Sequence, residues 1–184
     1  TATVVLIDPR GIGNSQKDDP AEVTYSAELW ADDFAALAQD MGHDRIAVLG
    51  SSLGGSMAQA LALRHPALVR GLIVIGGFSE LDRAMETNFA LRKKLVAKLG
   101  MGEELADFMG LSTMTREFMD TDEGYAVMQA NQANIRHNSP ELYTAFLNSI
   151  LSWGRRLPGQ ENEPLYTDLI AAIDCPTLVI AGDN

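Results

Sequence analysis

One cysteine, Cys175, stands among 184 residues. No intrachain disulfide can form from it, and no cysteine-based zinc site is available. Histidine is scarce too: His43, His65 and His137 are the three, and no pair has the H-x-x-x-H spacing of a metal site. No run of 18 or more apolar residues occurs, so no segment is expected to span a bilayer. Positive charge is thin, with 14 Lys and Arg against 25 Asp and Glu, a net charge of -11. Nucleic acid needs basic side chains to neutralise its phosphates, so it is not an expected partner. An anionic membrane surface is not expected for the same reason. Internal repeats and low-complexity tracts are absent from the sequence.

What remains is the composition of a globular domain. Apolar residues make up 46% and charged residues 21%, and a chain of this length can bury a sizeable core. Residues 3–8 (TVVLID), 45–49 (RIAVL), 71–75 (GLIVI) and 177–181 (TLVIA) read as short buried strands. Ser26 is a plausible N-cap for a helix running to Met41, with Trp30, Phe34, Leu37 and Met41 on its apolar face. A second helix is expected from Leu53 to His65, closed by Pro66. Strands separated by helices imply right-handed βαβ units and a parallel sheet. The continuous apolar runs suit a sheet buried on both faces.

Between Phe78 and Pro164 no strand-like run occurs. Leu91, Leu95 and Leu99 step by four, and Ser139, Pro140 and Glu141 open a helix continued by Leu142, Phe146 and Ile150. Six of the eight methionines fall here, which suits either an adaptable apolar surface over a pocket or the filling of irregular gaps. The expected organisation is an α/β part over 1–78 with the reactive turn, a helical insertion over 79–164, and a return to the sheet over 165–184.

Gly50, Ser51, Ser52, Leu53 and Gly54 form G-x-S-x-G, followed by Gly55. The motif lies directly after a predicted strand and directly before a predicted helix. That placement would hold the Ser52 hydroxyl at the carboxyl end of the sheet, in a tight turn that needs small neighbours. The helix N-terminus favours developing negative charge, and the Leu53 backbone N–H is an expected oxyanion donor. Phosphate-loop chemistry does not fit, because no lysine follows the glycines. Gly11-Ile12-Gly13 lacks the third glycine and the helix start of a dinucleotide fingerprint.

Four segments together resemble the α/β-hydrolase superfamily, in its branch with a helical cap. They are Asp8-Pro9-Arg10-Gly11-Ile12-Gly13-Asn14-Ser15, the Gly50–Gly55 turn, Leu63-Arg64-His65-Pro66 with the strand after it, and the run from Cys175 to Asp183. Within that branch the chain looks most like enol-lactone hydrolases, carboxylesterases and proline iminopeptidases. The resemblance implies a mostly parallel sheet with helices on both faces and an inserted helical cap. It implies a chain that is the central part of the fold, lacking the first strands and the last. It also implies a missing strand between residues 3–8 and 45–49. In such proteins the catalytic acid follows the seventh strand as G-x-x-D, which counts to the position after Asn184. Asp183 stands at the first position after Gly182, not the third. The catalytic histidine and the second oxyanion donor would likewise fall outside the chain.

The resemblance implies Ser52 as nucleophile toward a small ester or lactone, through an acyl-enzyme, with no cofactor and no metal. The fragment alone is expected to be inactive or nearly so, and its location is expected to be cytoplasmic. Three other readings share the turn: a small-molecule binding protein that has lost hydrolysis, a cofactor-free haloperoxidase, and a C–C bond hydrolase. Glu80 is an alternative acid after the strand at 71–75, and His137 an alternative base or substrate contact. His43 reads as solvated and His65 as a helix-end residue. Asp8 and Arg10 read as pinning their loop. Arg136 could meet an acidic substrate, and Arg155 and Arg156 read as surface charge. A small-molecule substrate is the expected partner, and the sequence leaves oligomeric state open.

Overall fold

The computed structural model describes residues 3–153 and 165–182. The chain divides into two compact units, one of Thr1–Leu81 with Asn148–Asn184 and the other of Asp82–Leu147.

The first unit holds a parallel sheet in the order β1 (Ile46–Ser51), β2 (Val69–Ile75), β3 (Thr177–Ile180). Strand β1 leads through helix α2 (Leu53–Arg64) to β2, a βαβ unit of the expected kind. The register sets Gly50 opposite Val74 and Ser51 opposite Ile75, so β1 stays paired up to the residue before Ser52. On the other edge of β2, Leu72 to Ile75 pair with Thr177 to Ile180.

Helix α1 (Ala27–Asp40) packs on α2. Ser26 caps it by accepting the Leu29 N–H at 3.2 Å. Its buried residues are Ala27, Trp30, Ala31, Ala35 and Ala38. The sequence pointed to Trp30, Phe34, Leu37 and Met41, but Met41 is 44% exposed and Phe34 only partly buried. Small side chains let the two helices approach closely, so the alanine stripe forms the contact and the larger residues flank it. Trp30 is fully buried, and its Nε1–H donates to the Arg10 carbonyl at 2.9 Å.

Two expectations about strands are corrected. Residues 3–8 form no ladder, and Val4 and Leu6 are 78% and 93% exposed. A strand needs a neighbour about 4.8 Å away to satisfy its backbone groups, and β1 offers its pairing to β2 alone among the described residues. Nor is the sheet buried on both faces. All four residues of β3 are exposed, as is Leu49 of β1. Both are edge strands, and only β2 has a neighbour on each side.

The described chain resumes at residue 165 with a short helix (Tyr166–Leu169) and a 3-10 turn (Ile170–Ala172) before β3. Trp153 stacks on Tyr166, with centroids 3.3 Å apart, and donates its Nε1–H to the Phe78 carbonyl at 3.0 Å.

The second unit is helical in its described residues: α3 (Arg83–Leu99), α4 (Glu103–Thr113), α5 (Arg116–Met119), α6 (Asp122–Ile135) and the first turns of α7 (Pro140–Trp153). Asp82, Thr115 and Thr121 cap α3, α5 and α6 through their side chains, and Ser139 Oγ accepts the Leu142 N–H at the head of α7. Its core is Val96, Leu105, Ala106 and Ile135, with Met101 and Met109 packed against it. Helix α3 corrects a further expectation. Leu91 and Leu99 are exposed, and the buried positions are Arg92 and Val96. The four-residue step is real, but the buried face lies one residue further along.

The loop after residue 8 is tied to α1 by charge. Arg10 donates from Nε and Nη2 to the Asp33 carboxylate, at 2.7 and 2.5 Å, and from Nη1 to Asp18 at 2.7 Å. The Arg10 hydrogen bond, and then that of Gln16, hold the Asp18 carboxyl below its ordinary range. Asp32 is lowered in the same way, first by Arg64. An unfolded chain then binds protons on acidification before the folded one does, so folding stability falls as pH drops from about 5 toward 2. The Arg10→Gln variant should be less stable at pH 7 and should lose less stability over that acid range. Urea melts of both proteins at several pH values measure the two slopes.

Candidate active site

Ser52 is the whole connection between β1, which ends at Ser51, and α2, which begins at Leu53. Its backbone has φ 51° and ψ -120°, and it is the one non-glycine residue with positive φ among the described residues. That conformation costs an ordinary side chain about 1–3 kcal/mol and persists only where the surroundings impose it. The impositions are visible. The Ser52 N–H donates to Ile75 O at 2.9 Å, and the Ser52 carbonyl accepts from Gly55 N–H at 2.8 Å. Gly50 lies so close to the helix that a Cβ there would stand 2.0 Å from the Gly54 carbonyl oxygen.

The geometry leaves the serine available. Ser52 is exposed, and its side chain makes no capping bond to α2 although it occupies the N-cap position. Among the described residues, the backbone bonds at the turn leave the Leu53 N–H without an acceptor. That donor sits at a helix N-terminus, where partial positive charge favours a developing oxyanion.

Sequence placed Gly54 and Gly55 in the same motif, but their reasons differ. Gly55 is buried, and a Cβ on it would meet Gly77 Cα at 3.1 Å and Val74 Cγ1 at 3.2 Å. A Cβ on Gly54 would meet nothing within 4 Å. The tight approach belongs to Gly50, one strand residue before Ser51.

The loop containing Asp8, Arg10, Gly11 and Gly13 folds on itself. Asp8 Oδ2 accepts the Asn14 N–H at 3.2 Å, and Ser15 Oγ donates to the Asp8 carbonyl at 2.6 Å. Gly13, with φ 54°, leaves room for that carboxylate, since a Cβ would stand 2.0 Å from Asp8 Oδ2. Gly11 also has positive φ and donates its N–H to the Gln16 carbonyl. The Asp8, Arg10 and Ser15 side chains are thus engaged within the loop or with α1.

Glu80 is exposed beyond the end of β2, and His137 is exposed after α6 in the helical unit. Asp183 lies outside the described residues, as do Arg155 and Arg156. Arg136 pairs with Glu103 at the surface of the helical unit. His65 occupies the C-cap position of α2, and its Nε2 meets Asp32 Oδ1 at 2.8 Å, beside the two bonds Arg64 makes to Asp32. His43 is exposed and lines a cavity of about 370 Å³ together with Gln39, Asp44, Arg64 and His65. That cavity lies where β1 and β2 begin, about 20 Å from Ser52 at roughly 3.3 Å per strand residue. It is not the serine's pocket. No group of three or more metal-ligating side chains occurs among the described residues, and no described helix is long and apolar enough to cross a membrane.

A family model described as alpha/beta hydrolase fold matches residues 1–184. The chain belongs to the α/β-hydrolase fold family. A provisionally named carbamate hydrolase of Pantoea ananatis is 38% identical over 98 residues, covering 53% of this chain and 35% of its own. A proline iminopeptidase of Thermoplasma volcanium is 31% identical over 203 residues, covering 98% of this chain and 63% of its own. The solved structure of an esterase from Thermogutta terrifontis superposes with a TM-score of 0.71 at 26% identity, over 95% of this chain and 59% of that one. The α/β-hydrolase chain therefore spans from about a third to just under two thirds of the length of these proteins. The sheet order seen here, with parallel β1, β2 and β3 adjacent, is the part of that fold it contains.

One feature of the helical unit escaped the sequence reading. Arg92 is buried, 8% exposed, on the face of α3 that the leucine pattern did not mark. The signal was the series Asn88, Arg92, Val96, a second four-residue step one position along from the leucines.

The turn at Ser52 separates two glycine substitutions that sequence alone treats alike. Gly50→Ala should cost about 2 kcal/mol or more, because its methyl meets a backbone oxygen. Gly54→Ala should stay within about 0.5 kcal/mol of the parent or stabilise it, as alanine favours a helix. Chemical denaturation of the two variants compares them directly.

Proposed function

We propose that the protein carrying this chain is a serine hydrolase acting on small esters or lactones, with Ser52 as nucleophile. The observation that carries the reading is the backbone of Ser52: a strained, exposed serine between strand and helix, with its hydroxyl uncommitted and the next N–H unpaired. Nothing in packing or capping accounts for a serine there, since glycine would adopt the same φ without strain.

In the reaction, Ser52 Oγ attacks the substrate carbonyl carbon while a histidine takes the hydroxyl proton. The carbonyl oxygen takes up negative charge opposite the Leu53 N–H. Collapse breaks the ester C–O bond, and the leaving alkoxide receives the proton from the histidine. Water then attacks the acyl-enzyme by the same route, releasing the acid and restoring Ser52. The histidine, the acid that orients it and the second oxyanion donor are supplied by parts of the protein outside these 184 residues. Expressed without those parts, the chain should hydrolyse esters poorly or not at all.

Relatives named esterase, iminopeptidase and carbamate hydrolase support acyl transfer as the reaction class. An ester or lactone is the substrate that asks least of this site, because its leaving group needs less help from a general acid than an amide's does.

The test is Ser52→Ala in the protein carrying this sequence, assayed with short-chain p-nitrophenyl esters. Turnover should fall by about 10⁴-fold or more, as when a serine nucleophile is removed elsewhere. Undiminished hydrolysis would show that Ser52 is not the nucleophile.

A further inference from the structure

Arg92 is the buried charge of the helical unit. Its guanidinium stays protonated in any protein environment, yet the residue is 8% exposed. Nη2 donates to Ser112 Oγ at 3.0 Å, and the cation stands over the Phe89 ring, 5.3 Å from its centroid. Nε is sealed from solvent and donates to nothing. Neutral hydroxyls and an aromatic face do not offset a full charge taken out of water.

The chain is not short of carboxylates, with 25 Asp and Glu. Three of its more exposed arginines use them: Arg10 binds Asp33 and Asp18, Arg64 binds Asp32, and Arg136 binds Glu103. Arg92, where pairing matters most, has no carboxylate partner among the described residues. Asn88, one turn earlier on α3, holds a second buried atom without a partner, Oδ1. Tyr143 of α7 is close by. Burial pushes its phenol above the ordinary value, and the charge of Arg92, with a hydrogen bond from it, opposes that rise. Its hydroxyl donates its proton to Met109 Sδ at 3.2 Å, a weak acceptor that a better one would displace.

Buried polar groups left unpaired in a folded protein ask for an explanation, and an absent ion or ligand is one. The free Nε and the adjoining Nη2 form the edge of the guanidinium that matches a carboxylate, through two parallel N–H···O bonds. We propose that the helical unit binds the carboxylate group of a small molecule at Arg92, with the Tyr143 hydroxyl turning from Met109 to donate to it. The site comprises residues of α3, α4 and α7 only. It does not depend on the role assigned to Ser52, and its test involves no turnover.

The probe is acetate, titrated into the full chain against chloride at constant ionic strength. The readout is the arginine Nε–Hε region of a ¹⁵N-correlated NMR spectrum. One resonance, absent from Arg92→Lys, should move saturably with acetate and not with chloride. Arg92→Lys should weaken acetate binding at least tenfold, because lysine cannot form the paired bonds. If that variant does not fold, the resonance is assigned through its proximity to the Phe89 ring protons, and Tyr143→Phe replaces it. Tyr143→Phe keeps the charge and should weaken acetate severalfold. The proposal is overturned if the Arg92 resonance ignores acetate, or if acetate and chloride move it alike.

Discussion

A methyl group on Gly50 would stand 2.0 Å from the carbonyl oxygen of Gly54. That closeness means strand and helix are joined by one residue with no slack, and the rest of the first unit is built around it. With Gly50 paired to Val74 and Ser51 to Ile75, the strand end is fixed. With Gly55 against Gly77 and Val74, the helix start is fixed. Ser52 has to span what is left, and φ 51° is the result. The strain is therefore a consequence of packing on both sides, which is how a fold can hold an unfavourable conformation where chemistry needs one.

Helix α2 can hold that position because its other faces are well anchored. Every residue from Gly55 to Ala62 is buried, and the partner surface on α1 is mostly alanine. Arg64 and His65 tie its far end to Asp32 of α1. Arg10 and Trp30 tie the preceding loop to the same helix. The motif beginning at Asp8 thus serves the site at one remove, by fixing α1 and through it α2.

The sequence made some of this legible and hid the rest for physical reasons. The strand–serine–helix turn was readable because glycine and serine at fixed offsets have few other uses. Strands 46–51, 69–75 and 177–180 were readable as apolar runs. Residues 3–8 have the same composition but no ladder, because strand formation depends on a neighbour and composition does not report one. The face of α1 was misread because alanine carries little hydrophobic signal yet gives the closest helix contact. The face of α3 was misread because three leucines outweighed an arginine. A buried cation is rare enough that periodicity arguments set it aside. Within the motif, Gly54 and Gly50 looked equivalent, and only the distances separate them.

The central claim is that the turn holds Ser52 as a nucleophile rather than as a ligand contact. The most direct measurement is to treat the protein carrying this sequence with a fluorophosphonate and map the modified peptide by mass spectrometry. The account predicts one adduct, on Ser52, that forms in the folded protein and is lost on denaturation before treatment. An adduct on another residue, or none on a protein that still hydrolyses esters, would contradict it.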